Sequence, residues 1–154
     1  MRAIYLAPPK LVTADEDTNL FDAARLMRSE GVGGIVVTRG EAPNQEPLGI
    51  VTDRDIVVHA LALDVDLETL TVADLCTREP AAVDANAGLT EITAVMNKHG
   101  VRRILVLRDG QLAGIVTFDD VIAAVAELTS NLAAMLERQI GYEKEHLVPA
   151  PDQG

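Results

Sequence analysis

Apolar positions along the chain follow two periods that alternate and then recur. Leu20, Ala23, Ala24 and Met27 step by i, i+3, i+4, i+7, one face of a helix, and the run stops at Gly31. Ile35-Val36-Val37 and Leu48-Gly49-Ile50-Val51 flank a loop, Thr38 to Pro47, rich in Gly, Pro and Asn, and predict a hairpin of two β strands. Leu11-Val12-Thr13 predicts a short strand before the first helix, whose N-cap is expected among Asp15 to Thr18, and Asp53 to Leu63 predicts a second helix. The order is strand, helix, strand, strand, helix.

The same order returns in the second half. Ala82-Val83 leads to an N-cap region at Asp84 to Asn86, and a helix carrying Leu89, Ile92, Val95 and Met96 ends at Gly100. Strands Ile104 to Leu107 and Leu112 to Val116 flank the turn Arg108-Asp109-Gly110, and a helix starts at Asp119. Leu20 and Leu89, Met27 and Met96, Gly31 and Gly100, and Ile35 and Ile104 are each 69 positions apart, whereas Gly49 and Gly114, Thr52 and Thr117, and Asp55 and Asp120 are 65 apart. The difference sits in the hairpin, which the second copy closes through the tight-turn pair Asp109-Gly110. An internal duplication follows.

It divides the chain into an extended lead-in with Pro8 and Pro9 (1–10), a first repeat (11–63), a connector (64–80), a second repeat (81–128) and a tail (129–154). Within the connector, Val72-Ala73-Asp74-Leu75 predicts a helical turn. Phe118, Val121, Val125, Leu128, Leu132 and Met135 step by 3 and 4 alternately, a heptad seam that carries the last helix to about Arg138 or beyond. Two readings of that extension stand open: it packs on a second subunit to form a homodimer, or it folds back on its own domain. Pro149 and Pro151 mark a frayed end.

With 154 residues, 48% of them hydrophobic, the chain can bury a real core, and with 3% aromatics and no Trp that core is built from Val, Ile, Leu, Ala and Met. The net charge of −11 argues against a nucleic-acid partner, which would need a basic face. Lone Cys76 makes no intramolecular disulfide, no signal peptide is visible, and the apolar runs are too short to span a bilayer, so a soluble cytoplasmic protein is expected.

The chemistry concentrates where each hairpin ends. Gly49-Ile50-Val51-Thr52-Asp53-Arg54-Asp55 and Gly114-Ile115-Val116-Thr117-Phe118-Asp119-Asp120 each place a Thr and, three residues on, an Asp at a helix start. That pair is a capping arrangement and also a hydroxyl and carboxylate available to a ligand; the roles are not exclusive. Lys98, His99, Arg102, Arg103 and Arg108 gather basic charge in an acidic chain, and consecutive Arg102 and Arg103 at a strand entrance suit phosphate, against the plainer reading of cations at a helix C-terminus. Gly31-Val32-Gly33-Gly34 follows a helix instead of opening one, so it is a helix end and not a phosphate loop. Asp53/Asp55 and Asp119/Asp120 show no third ligand for Mg²⁺, and His59, His99 and His146 lack metal-ligand spacing.

Two copies of helix, Gly, short apolar strand, turn and Gly-Ile-Val-Thr-x-x-Asp resemble a tandem pair of CBS domains, the arrangement called a Bateman module, over about Leu11 to Leu128. The resemblance implies an α+β fold, each repeat a small three-stranded sheet with packed helices, the two related by a pseudo-twofold axis with clefts between them. It implies a non-catalytic regulatory or sensor module that requires no cofactor and binds AMP, ADP, ATP or S-adenosylmethionine, with a regulated protein as partner. Asp55 and Asp120 would hold ribose, and Thr52 and Thr117 would lie near ribose or phosphate, beside Ile50 and Ile115. Thr13 and Ala82 would stand beside the base, with Ala82 departing from the usual hydroxyl. Phosphate would meet Arg102 and Arg103 in the second copy, where the first has Gly33 and Gly34, so the two sites are unequal; Val101 would also belong to the nucleotide site. The competing reading is a ligand-free interaction or dimerisation module.

Overall fold

The computed structural model describes residues 1–8, 11–40 and 45–145. Part of the first hairpin loop, with His146 and the expected frayed end at Pro149 and Pro151, lies outside them.

Both predicted repeats are present. In the first, β1 (Thr13–Asp15) leads to α2 (Leu20–Glu30), then to the hairpin of β2 (Gly34–Arg39) and β3 (Glu46–Thr52), and to α3 (Asp53–His59). In the second, β5 (Ala82–Asp84), α5 (Leu89–His99), β6 (Arg103–Arg108), β7 (Gln111–Thr117) and α6 (Phe118–Glu145) take the same places. Short helices α1 (Ala3–Leu6) and α4 (Val72–Leu75) precede the repeats, and β4 (Thr77–Arg78) follows α4. Each first strand pairs parallel with the second, Thr13 opposite Val36 and Ala82 opposite Leu105, and each hairpin is antiparallel.

Strand alternation assigns the two faces of each sheet. Ile35, Val37 and Val51 join Leu20, Ala23 and Met27 of α2 in one core, and Ile104, Val106 and Val116 join Ile92 and Met96 of α5 in another. The intervening residues Val36, Ile50 and Leu105 form a third cluster, flanked by Ile115 and Leu112, in which the sheets meet back to back. Gly31 and Gly100 end their helices in the left-handed conformation, with φ of 67° and 64°, where a side chain would be strained.

Several local expectations are corrected. The first sheet has four strands, because Thr77 and Arg78 pair with Ile50 and Gly49; a two-residue strand leaves no period to read. The helix at Asp53 gives way after His59 to a 3₁₀ turn at Leu61–Leu63. The N-caps are Asn19, whose side chain accepts from the Asp22 N–H at 2.8 Å, and Gly88, which brings no side-chain cap. Residues 3–6, expected as extended lead-in, form α1, too short for a sequence signal and held by tertiary contacts. Those contacts include the Ala3 and Ile4 N–H groups donating to the Ala87 and Ala85 carbonyls at 2.8 and 3.1 Å.

Helix α1 is the counterpart of α4, since Ala3 and Val72, and Leu6 and Leu75, again differ by 69 positions. The two are exchanged in space. Val72 and Cys76 lie in the core of the first repeat, although they lead into the second, and Ala3 is buried in the core of the second, although it leads into the first. Bridges Asn19 to Thr71 and Arg2 to Gly88 repeat the exchange. It also bears on a motif glycine: a Cβ on Gly49 would collide first with the Thr77 carbonyl of β4 and stand 2.8 Å from Cys76 Sγ, and one on Gly114 would stand 2.8 Å from Ala7 Cβ. The glycine that opens each Gly-Ile-Val-Thr run makes room for the chain that leaves the exchanged helix.

Helix α6 runs to Glu145. Val121 and Ala124 are buried, and every described side chain from Val125 to Glu143 is exposed, so the extension does not fold back on its own domain. No helix among the described residues is long and apolar enough to cross a membrane.

Candidate functional site

The duplication fixes where the site residues can meet. Each hairpin delivers its Thr-x-x-Asp to the end of its last strand, and the back-to-back sheets bring that end against the helix-to-strand turn of the other repeat. Two clefts result, each drawing one wall from either repeat.

The first cleft has a volume of about 320 Å³ and is lined by Ile50, Thr52, Arg54 and Asp55 from the first repeat, Gly100 to Arg103 from the second, and Thr77, Pro80 and Ala81 between them. The second, of about 190 Å³, is lined by Val12, Val32, Gly33, Gly34 and Val36 of the first repeat, Arg103, Ile115, Thr117 and Asp119 of the second, and Pro8. Of the sequence-predicted residues, Ile50, Thr52, Asp55, Val101, Arg102 and Arg103 come together in the first, and Gly33, Gly34, Ile115 and Thr117 meet Arg103 in the second. Thr13, Ala82 and Asp120 line neither. Val12 and Ala81, each one residue before its short strand, stand in the walls where Thr13 and Ala82 were expected, because an extended chain turns successive side chains to opposite sides.

Both Thr-x-x-Asp pairs are complete capping boxes. Thr52 accepts from the Asp55 N–H at 3.2 Å, while its own N–H and hydroxyl donate to Asp55 Oδ2 at 2.8 and 2.7 Å. Thr117 and Asp120 repeat this at 3.2, 2.7 and 2.6 Å. A third box, Thr71 and Asp74, starts α4 and lines neither cleft; the Thr71 N–H and hydroxyl lie 2.9 and 3.0 Å from Asp74 Oδ2 and hold that carboxyl below its ordinary value. A motif that recurs away from both clefts is primarily a helix start.

The cations are unevenly placed. The first cleft holds Arg54, Arg102 and Arg103 against Asp55; the second holds Arg103 against Asp119. Arg102 lies over the Phe118 ring at 5.5 Å and pairs with Asp119 at 3.3 Å, both side chains largely exposed. Arg103 reaches across to the first repeat, where its Nη2 donates to the Gly33 carbonyl at 3.2 Å. Cβ atoms on Gly33 and Gly34 would stand 3.2 and 3.1 Å from that guanidinium, so these glycines seat the arginine. Arg103 alone lines both clefts. Sequence reasoning missed Arg54, which sits inside the Thr-x-x-Asp motif and was visible there, and Pro80 and Ala81, which no local signal marks.

Residues 6–61 and 72–127 match the CBS domain family. The chain belongs to that family. Hypoxic response protein 1 of Mycobacterium tuberculosis is 36% identical over 112 residues, 73% of this chain and 76% of that protein. The crystal structure of Hypoxic Response Protein I, with two coordinated zinc ions, superposes with a TM-score of 0.68 at 32% identity over 80% of this chain and 98% of the other. A CBS domain protein from Pyrobaculum aerophilum, complexed with AMP, superposes with a TM-score of 0.73 at 24% identity over 84% and 99%. Among the described residues of this chain, no three His, Cys, Asp or Glu side chains are grouped to hold a metal ion.

Proposed function

We propose that this CBS-domain protein is a cytoplasmic regulatory sensor that binds an adenosine-containing ligand, AMP, ADP, ATP or S-adenosylmethionine, in the first cleft and catalyses no reaction. One observation carries the reading: a single cavity sets the Asp55 carboxylate of one repeat opposite Arg102 and Arg103 of the other, with Arg54 beside it. Ribose needs an acceptor and phosphate needs donors, and guanidinium groups supply the latter in pairs. Both Thr52 bonds fall on Asp55 Oδ2, which leaves Oδ1 to accept a ribose hydroxyl. Apolar Ile50, Val101 and Ala81 suit a purine face.

The protein's charge of −11 does not defeat an anionic ligand. Beyond a Debye length of about 8 Å the repulsion is screened, while a guanidinium about 4 Å from a phosphate contributes up to roughly 4 kcal/mol at an effective dielectric near 20. The AMP held by the Pyrobaculum relative supports the ligand class. Because each cleft takes a wall from either repeat, occupancy would alter the packing between them, and a homodimer partner or regulated protein would read that change.

Thermal unfolding with AMP, ADP, ATP and S-adenosylmethionine tests this. A ligand at 100 times its Kd adds about 2.7 kcal/mol, which raises Tm by about 5–10 °C for a domain of this size. Silence from all four supports the second reading, a ligand-free interaction module, which the exposed apolar side chains of α6 favour. Turnover of a nucleotide by pure protein would overturn both.

A further inference from the structure

The family match ends at residue 127, yet α6 continues to Glu145. Residues 125–145 rise about 31 Å at 1.5 Å per residue. This length makes no use of its own domain, since the buried positions of the helix, Val121 and Ala124, both precede it. It nevertheless keeps the seam spacing: Val125, Leu128, Leu132 and Met135 are 42%, 53%, 51% and 56% exposed, and Leu136, 55% exposed, adjoins them. Most of the stability of a helix in a protein comes from packing its apolar face, and the face of this extension is left open by its own domain.

We propose that the seam is covered by the same seam of a second copy, the two α6 extensions lying parallel as a two-stranded coiled coil. With Val125 and Leu132 at a and Leu128 and Met135 at d, each Arg138 occupies a g position and each Glu143 the e position five residues on. In a parallel pair, g of one helix meets that e of the other. Arg138 of either copy therefore faces Glu143 of its partner, twice per dimer. In the antiparallel alignment that sets Leu132 against Met135, Arg138 faces Asn131 and Glu143 faces Ile122, and no ion pair forms. Gln139, which donates to Glu143 at 3.3 Å within its own helix, is a polar a residue that fixes the register. Ile140 lies outside the seam. This inference stands independently of the nucleotide reading.

Cysteine crosslinking of the full chain tests it, with the unaltered chain and its buried Cys76 as control. Leu132→Cys should oxidise to a disulfide-linked dimer, whereas Glu127→Cys, turned away from the seam, should not. Under light scattering, Arg138→Glu should raise the dimer dissociation constant about tenfold, and Arg138→Glu with Glu143→Arg should restore it. All these positions are exposed, and circular dichroism confirms that each variant folds. A monomer at tens of micromolar overturns the proposal. So does a Leu132→Cys protein that crosslinks only when mixed with Met135→Cys, the antiparallel result, and so does a dimer indifferent to Arg138→Glu.

Discussion

The two clefts descend from one duplicated unit and share a plan, yet they are chemically different. At equivalent positions of the helix-to-strand turn the first cleft has Arg102 and Arg103, and the second has Gly33 and Gly34. The glycines are not empty counterparts of the arginines. They let Arg103 lie against the first repeat and reach the Gly33 carbonyl, so the smaller cleft is small partly because the larger one's cation is seated in it. Duplication supplied two clefts, and the difference at two adjacent positions gathers most of the cations in one. A ligand that draws Arg103 into the first cleft withdraws it from the second.

The strongest test of this inequality removes the cations. If AMP or ATP binds in the first cleft, Arg102→Ala with Arg103→Ala should weaken it by about 100-fold in calorimetric titration, since each charged hydrogen bond contributes about 1.5–3 kcal/mol. An unchanged affinity would place the ligand elsewhere. Next, the two carboxylates should separate. Asp55→Ala should lower nucleotide affinity about tenfold and also cost about 1 kcal/mol as a lost cap, whereas Asp120→Ala should cost the cap alone and leave affinity intact. Equal losses of affinity would make the clefts equivalent after all.

A smaller effect is expected from Gly34→Ala, whose new Cβ would press on Arg103 Nε at 3.1 Å. The guanidinium end can shift, so stability should change by less than about 1 kcal/mol, while Arg103 is pushed toward the first cleft and its ligand affinity rises or holds. A fall would show that the observed seat of Arg103 is the binding geometry. The smallest effect concerns the box away from both clefts. Its Asp74 carboxyl is held below the ordinary aspartate value of 3.8 by the Thr71 N–H and hydroxyl, so its contribution is present above about pH 3.8 and is lost as pH falls through the lower native value. The Tm gap between the wild type and Asp74→Asn should close on acidification, with no change in nucleotide binding at any pH.

The repeats were legible because their signal is periodic. Leu20 to Met27 and Leu89 to Met96 each present one helical face, and the branched runs on β2, β3, β6 and β7 alternate between a repeat core and the seam between sheets. Asp55 could be picked out because its motif recurs at Asp120, and Arg102 and Arg103 because consecutive arginines open a strand in an acidic chain. What the sequence concealed depends on contacts distant along the chain. Helix α1 has four residues and no period; only the core formed by Val83, Ile92 and Val116 makes it a helix. The exchange of Thr13 for Val12 as a wall residue rests on which way a three-residue strand is turned, and one position of slip reverses it. Gly33 and Gly34 read as a helix end because Arg103 comes to them from 70 residues away.

The crossing of α1 and α4 bears on how such a molecule is made. A protein severed between residues 70 and 71 yields two pieces, each holding the wrong short helix and lacking the one that seals its interior. Neither should be stable on its own, but the two pieces mixed together can each supply the helix that the other lacks.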